Sequence, residues 1–82
     1  MNKSRKLKIK EIIAGLEQLA EKIEDIEFAE EEDIEERIDK GKDDALTEQM
    51  QEFVDLMFES RESIETAKES LKEVTTTEKA IV

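Results

Sequence analysis

The apolar positions of this chain fall into two regular series separated by a polar break. In the first half, Ile9, Ile12, Leu16, Leu19, Ile23 and Ile26 step by alternating threes and fours, the a/d seam of a heptad repeat. Ile13 and Ala20 widen that stripe. The series then changes phase: Ile26, Glu30, Ile34 and Ile38 are four apart, and an extra step of four is a stutter that locally unwinds a coiled coil. In the second half, Leu46, Met50, Phe53, Met57, Ser60, Ile64, Ala67, Leu71 and Val74 keep the alternation throughout, a sustained helical signal.

The break between them reads IDKGKDD. Gly41 suits the left-handed position that follows a helix. Lys40 and Lys42 complement the negative end of a first helix, and Asp43, Asp44 and Glu48 the positive start of a second; Asp43 or Asp44 can cap it. A connection this short makes the helices antiparallel. The pattern predicts one all-α domain over 1–82: a coiled-coil-like hairpin with a helix over about 4–39, a turn over about 40–43 and a helix over about 44–75. The tail at 76–82, which overlaps the run of three β-branched threonines Thr75, Thr76 and Thr77, is expected to fray. Folding at Gly41 brings residue n level with about 84−n. Ile34 then meets Met50 and Ile12 meets Leu71, while Glu30 falls near Phe53 and Ser60 near Ile23.

Three apolar residues fall outside these seams. Val54 and Phe58 lie to one side of the second seam, and Phe28 lies off the first at the same height. We expect Phe28, Val54 and Phe58 to form a homodimer interface that completes a four-helix bundle. An antiparallel dimer would set the basic N-terminus of one chain near the acidic loop end of the other.

Composition narrows the chemistry. There is no Cys and no His among the 82 residues, so disulfides and Cys/His metal sites are excluded. The chain has no Pro and two Gly, with 45% charged and 37% hydrophobic residues, a breaker-poor composition that favours long helices. The net charge is −11, yet MNKSRKLKIK holds five cations and no anion. Residues 11–82 therefore carry 8 cations against 24 anions, a net of −16. Such a body repels nucleic acid and anionic membrane and attracts basic protein surfaces. Lys8, Lys10 and Glu11 interrupt any apolar stretch after the basic start, so the reading is of a cytoplasmic chain without a signal peptide. No run is apolar enough to span a membrane.

The carboxylates concentrate in EFAEEEDIEERID at 27–39, where eight of thirteen residues are acidic. On a helical wheel, Glu27 and Glu30 fall on the seam side and Glu31 at its flank. Glu32, Asp33, Glu35, Glu36 and Asp39 point away, as a solvated face. A rigid row of carboxylates can stand in for phosphates in a basic cleft, competing for the contacts that dominate DNA affinity. The candidate face is Glu32, Asp33, Glu36, Asp39, Asp43 and Asp44. Ion pairs at helical spacing are available as Asp33–Arg37 and Glu36–Lys40. Helical-bundle di-iron sites add His at Glu-x-x-His spacing, which this chain lacks, so no metal or other cofactor is expected.

Two resemblances bear on function. Glu31-Glu32-x-x-Glu35 followed by Glu52-x-x-Asp55, with the words QEFVDLMF, resembles the EExxE…ExxD pattern of MazG-like nucleotide pyrophosphohydrolases. That resemblance implies an all-α, oligomeric, Mg²⁺-dependent enzyme acting on nucleotides. On the wheel, however, Glu32, Glu35, Glu52 and Asp55 face outward and do not converge within one chain. The stretches KLKIKEIIAGLEQLAEKIEDI, EEEDIEERID and SIETAKESLKEV look like those of a group of small acidic phage and prophage proteins. That likeness implies a helical hairpin in a phage setting; the turn KGKDD departs from the proline-containing turns that the group tends to have. The expectation is a non-enzymatic acidic protein that binds a basic host protein, and so could inhibit defence or nucleic-acid machinery by imitating DNA. The alternatives are a self-associating structural module and the MazG-like enzyme.

Overall fold

A computed structural model describes the backbone of residues 2–81 and the side chains of residues 2–76. Two α-helices, α1 (Lys3–Asp39) and α2 (Ala45–Ile81), pack against each other as an antiparallel hairpin 62 Å long. Asn2 caps α1, its side-chain oxygen accepting from the Arg5 amide at 2.9 Å. At the other end, the Gly41 amide donates to the Ile38 carbonyl and the Lys42 amide to the Arg37 carbonyl, at 2.9 and 2.8 Å. This pair of bonds is the Schellman arrangement, and Gly41 supplies its left-handed residue at φ +76°. Asp44 caps α2, accepting from the Thr47 amide at 3.1 Å.

The helical backbone runs on to Ile81, past the expected stop near residue 75. Thr75 and Thr76 both turn their hydroxyls onto the Lys72 carbonyl, at 2.8 and 3.0 Å. That bond satisfies each hydroxyl within the helix, so the threonines do not break it. The side chains of 77–82 lie outside the described residues.

The two helices meet at the expected levels but not on the expected faces. Arg37 reaches Thr47, Glu17 reaches Lys68 and Glu24 reaches Arg61, each close to the 84−n rule. The inward row on α1 is Ile9, Ile13, Leu16, Ala20, Ile23, Glu27, Glu30, Ile34 and Arg37, with Lys6 extending it and Gly15 and Glu24 partly covered beside it. On α2 they are Thr47, Met50, Val54, Met57, Arg61, Ile64, Lys68, Leu71 and Thr75. Both sets alternate threes and fours from end to end, so α1 has no stutter. Half of the expected seam is correct: Ile9, Leu16, Ile23, Glu30, Ile34, Met50, Met57, Ile64 and Leu71 do face the partner helix. The other half is displaced by one residue. Ile12, Leu19, Ile26, Leu46, Phe53 and Val74 each keep about half of their surface in water, and their neighbours Ile13, Ala20, Glu27, Thr47, Val54 and Thr75 turn inward instead.

Candidate interaction surfaces

The inward rotation by one residue follows from what crosses the hairpin. Glu27 is 4% exposed, and its carboxylate receives the Arg61 guanidinium through Nε at 2.6 Å and Nη2 at 3.3 Å. The hydrogen bond that Arg61 donates to Glu27 raises the Arg61 pKa above its ordinary value, with the charges of Glu27, Glu24 and Glu62 adding to it. Arg61 also lies over the Phe58 ring, 5.3 Å from its centroid. One heptad further on, Lys68 reaches Glu65 at 3.0 Å and Glu17 at 3.7 Å. Its pKa is raised by the hydrogen bond with Glu65 and by the nearby carboxylates. Facing Ser60 and Ala67 inward would have turned both cations out to water and left these carboxylates unpaired.

Bringing Glu27, Arg61 and Lys68 to the seam sorts the hairpin into two unlike flanks. At about 103° per residue in a 3.5-residue turn, Glu17 and Glu24 lie to one side of the inward row and Ile12, Leu19 and Ile26 to the other. The same offsets on α2 separate Phe58 and Glu65 from Phe53, Ser60 and Ala67. Reversing both chain direction and facing direction preserves the side, so equal offsets on the two antiparallel helices share a flank. The grooves bear this out: Glu17 and Glu24 line one with Arg61 and Glu65, while Asp33 and Arg37 line another with Leu46 and Met50. One flank is therefore a rail of ion pairs. The other is an apolar surface made of Ile12, Leu19, Ile26, Phe53 and Val74 above the half-buried Ile9, Leu16, Ile23, Met57, Ile64 and Leu71.

The three residues expected to pair two hairpins do not form one patch. Val54 is 5% exposed and packs inside the hairpin, because the one-residue rotation places it where Phe53 was expected. Phe28 and Phe58 remain exposed, at 56% and 46%, but on the ion-paired flank, where Arg61 covers part of Phe58.

The acidic candidates lie at the loop end, and all six are exposed. Two are engaged within the hairpin. Glu36 accepts from Lys40 at 2.8 Å, a hydrogen bond that together with the lysine charge holds its pKa below the usual value. Asp44 accepts from the Thr47 amide and from Arg37 Nη2, and these two bonds depress its pKa. Arg37 therefore reaches across the turn to Asp44 and Thr47 rather than back to Asp33. Its guanidinium and the Thr47 hydroxyl, which donates to the Lys42 carbonyl, lock the end of α1 to the cap of α2. Glu32, Asp33, Asp39 and Asp43 form no ion pair among the described residues and are directed to solvent.

The acids of the pyrophosphohydrolase-like pattern, Glu31, Glu32, Glu35, Glu52 and Asp55, are likewise all exposed. Among the described residues no group of three or more carboxylates is placed to hold a metal ion, and no helix is long and apolar enough to cross a membrane. The sequence sets Glu27 on the seam side, where it is buried, but Arg61, Lys68 and Thr47 are inner residues that the apolar pattern passes over. Their signal was the spacing Thr47, Val54, Arg61, Lys68, Thr75, a heptad run whose cations fall level with Glu24, Glu27 and Glu17. Comparison with protein families, curated proteins and solved structures returned no match to this chain.

Proposed function

We propose that this chain is a non-catalytic interaction protein: an acidic helical hairpin that works by covering its apolar flank in an assembly and by offering its loop-end carboxylates to a basic protein surface. The observation that carries the reading is the flank itself. Ile12, Leu19, Ile26, Phe53 and Val74 gather on one flank above half-buried apolar residues, while Phe28 and Phe58 stand apart among the ion pairs of the other, and a clustered exposed surface of that kind marks a protein contact. Covering it with a second hairpin produces a four-helix bundle. Glu32, Asp33, Asp39 and Asp43 then stay outside the bundle, free to meet cations on another protein. The resemblance to small phage proteins supplies the setting, in which that partner is a basic host protein whose nucleic-acid cleft the carboxylates occupy.

The test is capture from a bacterial lysate by the immobilised protein and by a variant with Glu32→Gln, Asp33→Asn, Asp39→Asn and Asp43→Asn. A basic protein retained by the native chain, lost from the variant and released at about 1 M salt, where screening acts within ~3 Å, supports the reading. Mg²⁺-dependent hydrolysis of nucleoside triphosphates, abolished by Glu52→Gln, would replace it with the enzymatic one.

A further inference from the structure

We infer that the apolar flank is occupied by a second copy of this chain lying antiparallel, with the loops at opposite ends of the dimer. This inference rests on the interaction reading above and specifies the flank's occupant. Three observations lead to it. The first is size: one whole side of the hairpin, 62 Å long and 13–15 Å across, is on the order of the ~800 Å² that each partner contributes to a standard stable interface, and the apolar residues span about half of that length at ~1.5 Å per residue.

The second is charge. The open end of the hairpin carries Lys3, Arg5, Lys6, Lys8 and Lys10, and the loop end carries the carboxylates of 27–44. A parallel pair would set cations beside cations and carboxylates beside carboxylates. An antiparallel pair lays each basic segment over the other copy's acidic end. It also places favourable partners beside cations that otherwise sit at a helix N-terminus, where the helix dipole disfavours them.

The third is shape. With the two-fold axis at the middle of α1, near Glu21, α1 faces α1 of the second copy, residue n level with about 42−n, and α2 faces α2, residue n level with about 126−n. Leu19 then comes level with Ile23, Ile26 with Leu16, and Phe53 with Val74. Apolar side chains of the flank thus fall at the level of apolar side chains of the second copy, and the small Ser60 and Ala67 fall level with each other, as interdigitating helices require. This interface is the opposite flank from Phe28 and Phe58.

The chain has no Cys, so Lys42→Cys gives one spin-label site per copy. The expected results are a species of twice the 9.5 kDa chain mass in light scattering and a label-to-label distance near the full 62 Å of the hairpin. Leu19→Glu buries an unpaired carboxylate twice per dimer and should weaken dimerisation by about 100-fold or more, whereas Phe28→Glu should leave it unchanged. A label distance of about 10–20 Å, the spacing of packed helices, overturns the antiparallel arrangement. A dimer lost with Phe28→Glu and kept with Leu19→Glu overturns the flank. A native chain that stays monomeric overturns the second copy as occupant; if that monomer still captures a basic protein, the interaction reading survives, and if it does not, both fail. Should Leu19→Glu not fold, the native chain's mass and the label distance still decide.

Discussion

Glu27 and Arg61 meet across the hairpin at 2.6 Å, with the carboxylate 4% exposed, and this pair sets the rotation of both helices about their axes. A buried carboxylate is tolerated only with its partner. Arg61→Leu leaves Glu27 buried and unpaired, and should lower the melting temperature markedly. The double variant with Glu27→Leu should recover most or all of the loss, because an apolar pair of similar volume replaces two charges that had to be desolvated. Thermal denaturation of the two single variants and the double variant checks this as a double-mutant cycle. A loss in the double variant equal to the sum of the two single losses would show that the pair is not coupled.

The two glycines should respond to alanine with opposite signs. Gly15 lies within α1 with open space where a Cβ would stand, so Gly15→Ala should stabilise by about 0.5–1 kcal/mol through helix propensity. Gly41 also has open space but holds φ +76°, a conformation that costs an L-residue about 1–2 kcal/mol. Gly41→Ala should therefore destabilise by roughly 1 kcal/mol, and Gly41→Asn by less. Urea titration of the three variants measures both signs.

Ile34 and Ile26 differ by two turns of α1 and by a whole environment. Ile34 is 5% exposed and Ile26 53%. Ile34→Ala should cost about 2–3 kcal/mol at any protein concentration, at the lower end of the range for core truncations because the hairpin is thin. Ile26→Ala should act through the dimer instead, so that its effect on melting temperature shrinks as the chain is diluted. Melting curves over a hundredfold range of concentration separate the two behaviours.

Asp44 gives a pH signature. Its pKa is depressed below the ordinary 3.8 by the Thr47 amide and Arg37. The folded state therefore binds fewer protons than the unfolded state, and the contribution of Asp44 is complete above pH 3.8 and lost as pH falls through the lower folded value. Asp44→Asn should be less stable than the native chain at neutral pH, and the gap should close below pH 3.8. The net charge of −11 acts the other way, since titrating carboxylates between neutrality and pH 4.5 relieves self-repulsion. Native stability should rise on mild acidification before it falls. A gap that persists at pH 2 would mean that the cap matters through the side chain's shape rather than its charge.

What the chain determines by itself is the hairpin. The absence of proline, the 3–4 alternation, the Gly41 turn and the Asp44 cap are local properties, each fixed by residues within a turn or two of one another. They place the helices, the break and the level of every pairing. The rotation of each helix about its axis is different in kind. Both helices carry an apolar stripe wide enough to fill two interfaces, so Ile12 and Ile13, or Phe53 and Val54, are equally good seam residues by hydropathy. Only the tertiary structure decides between them, because Glu27 and Glu24 can reach Arg61, and Glu17 can reach Lys68, in one rotation and not in the other. That choice buries Val54 and leaves Ile12, Leu19, Ile26 and Phe53 in water, gathering a surplus of hydrophobic residues on one flank.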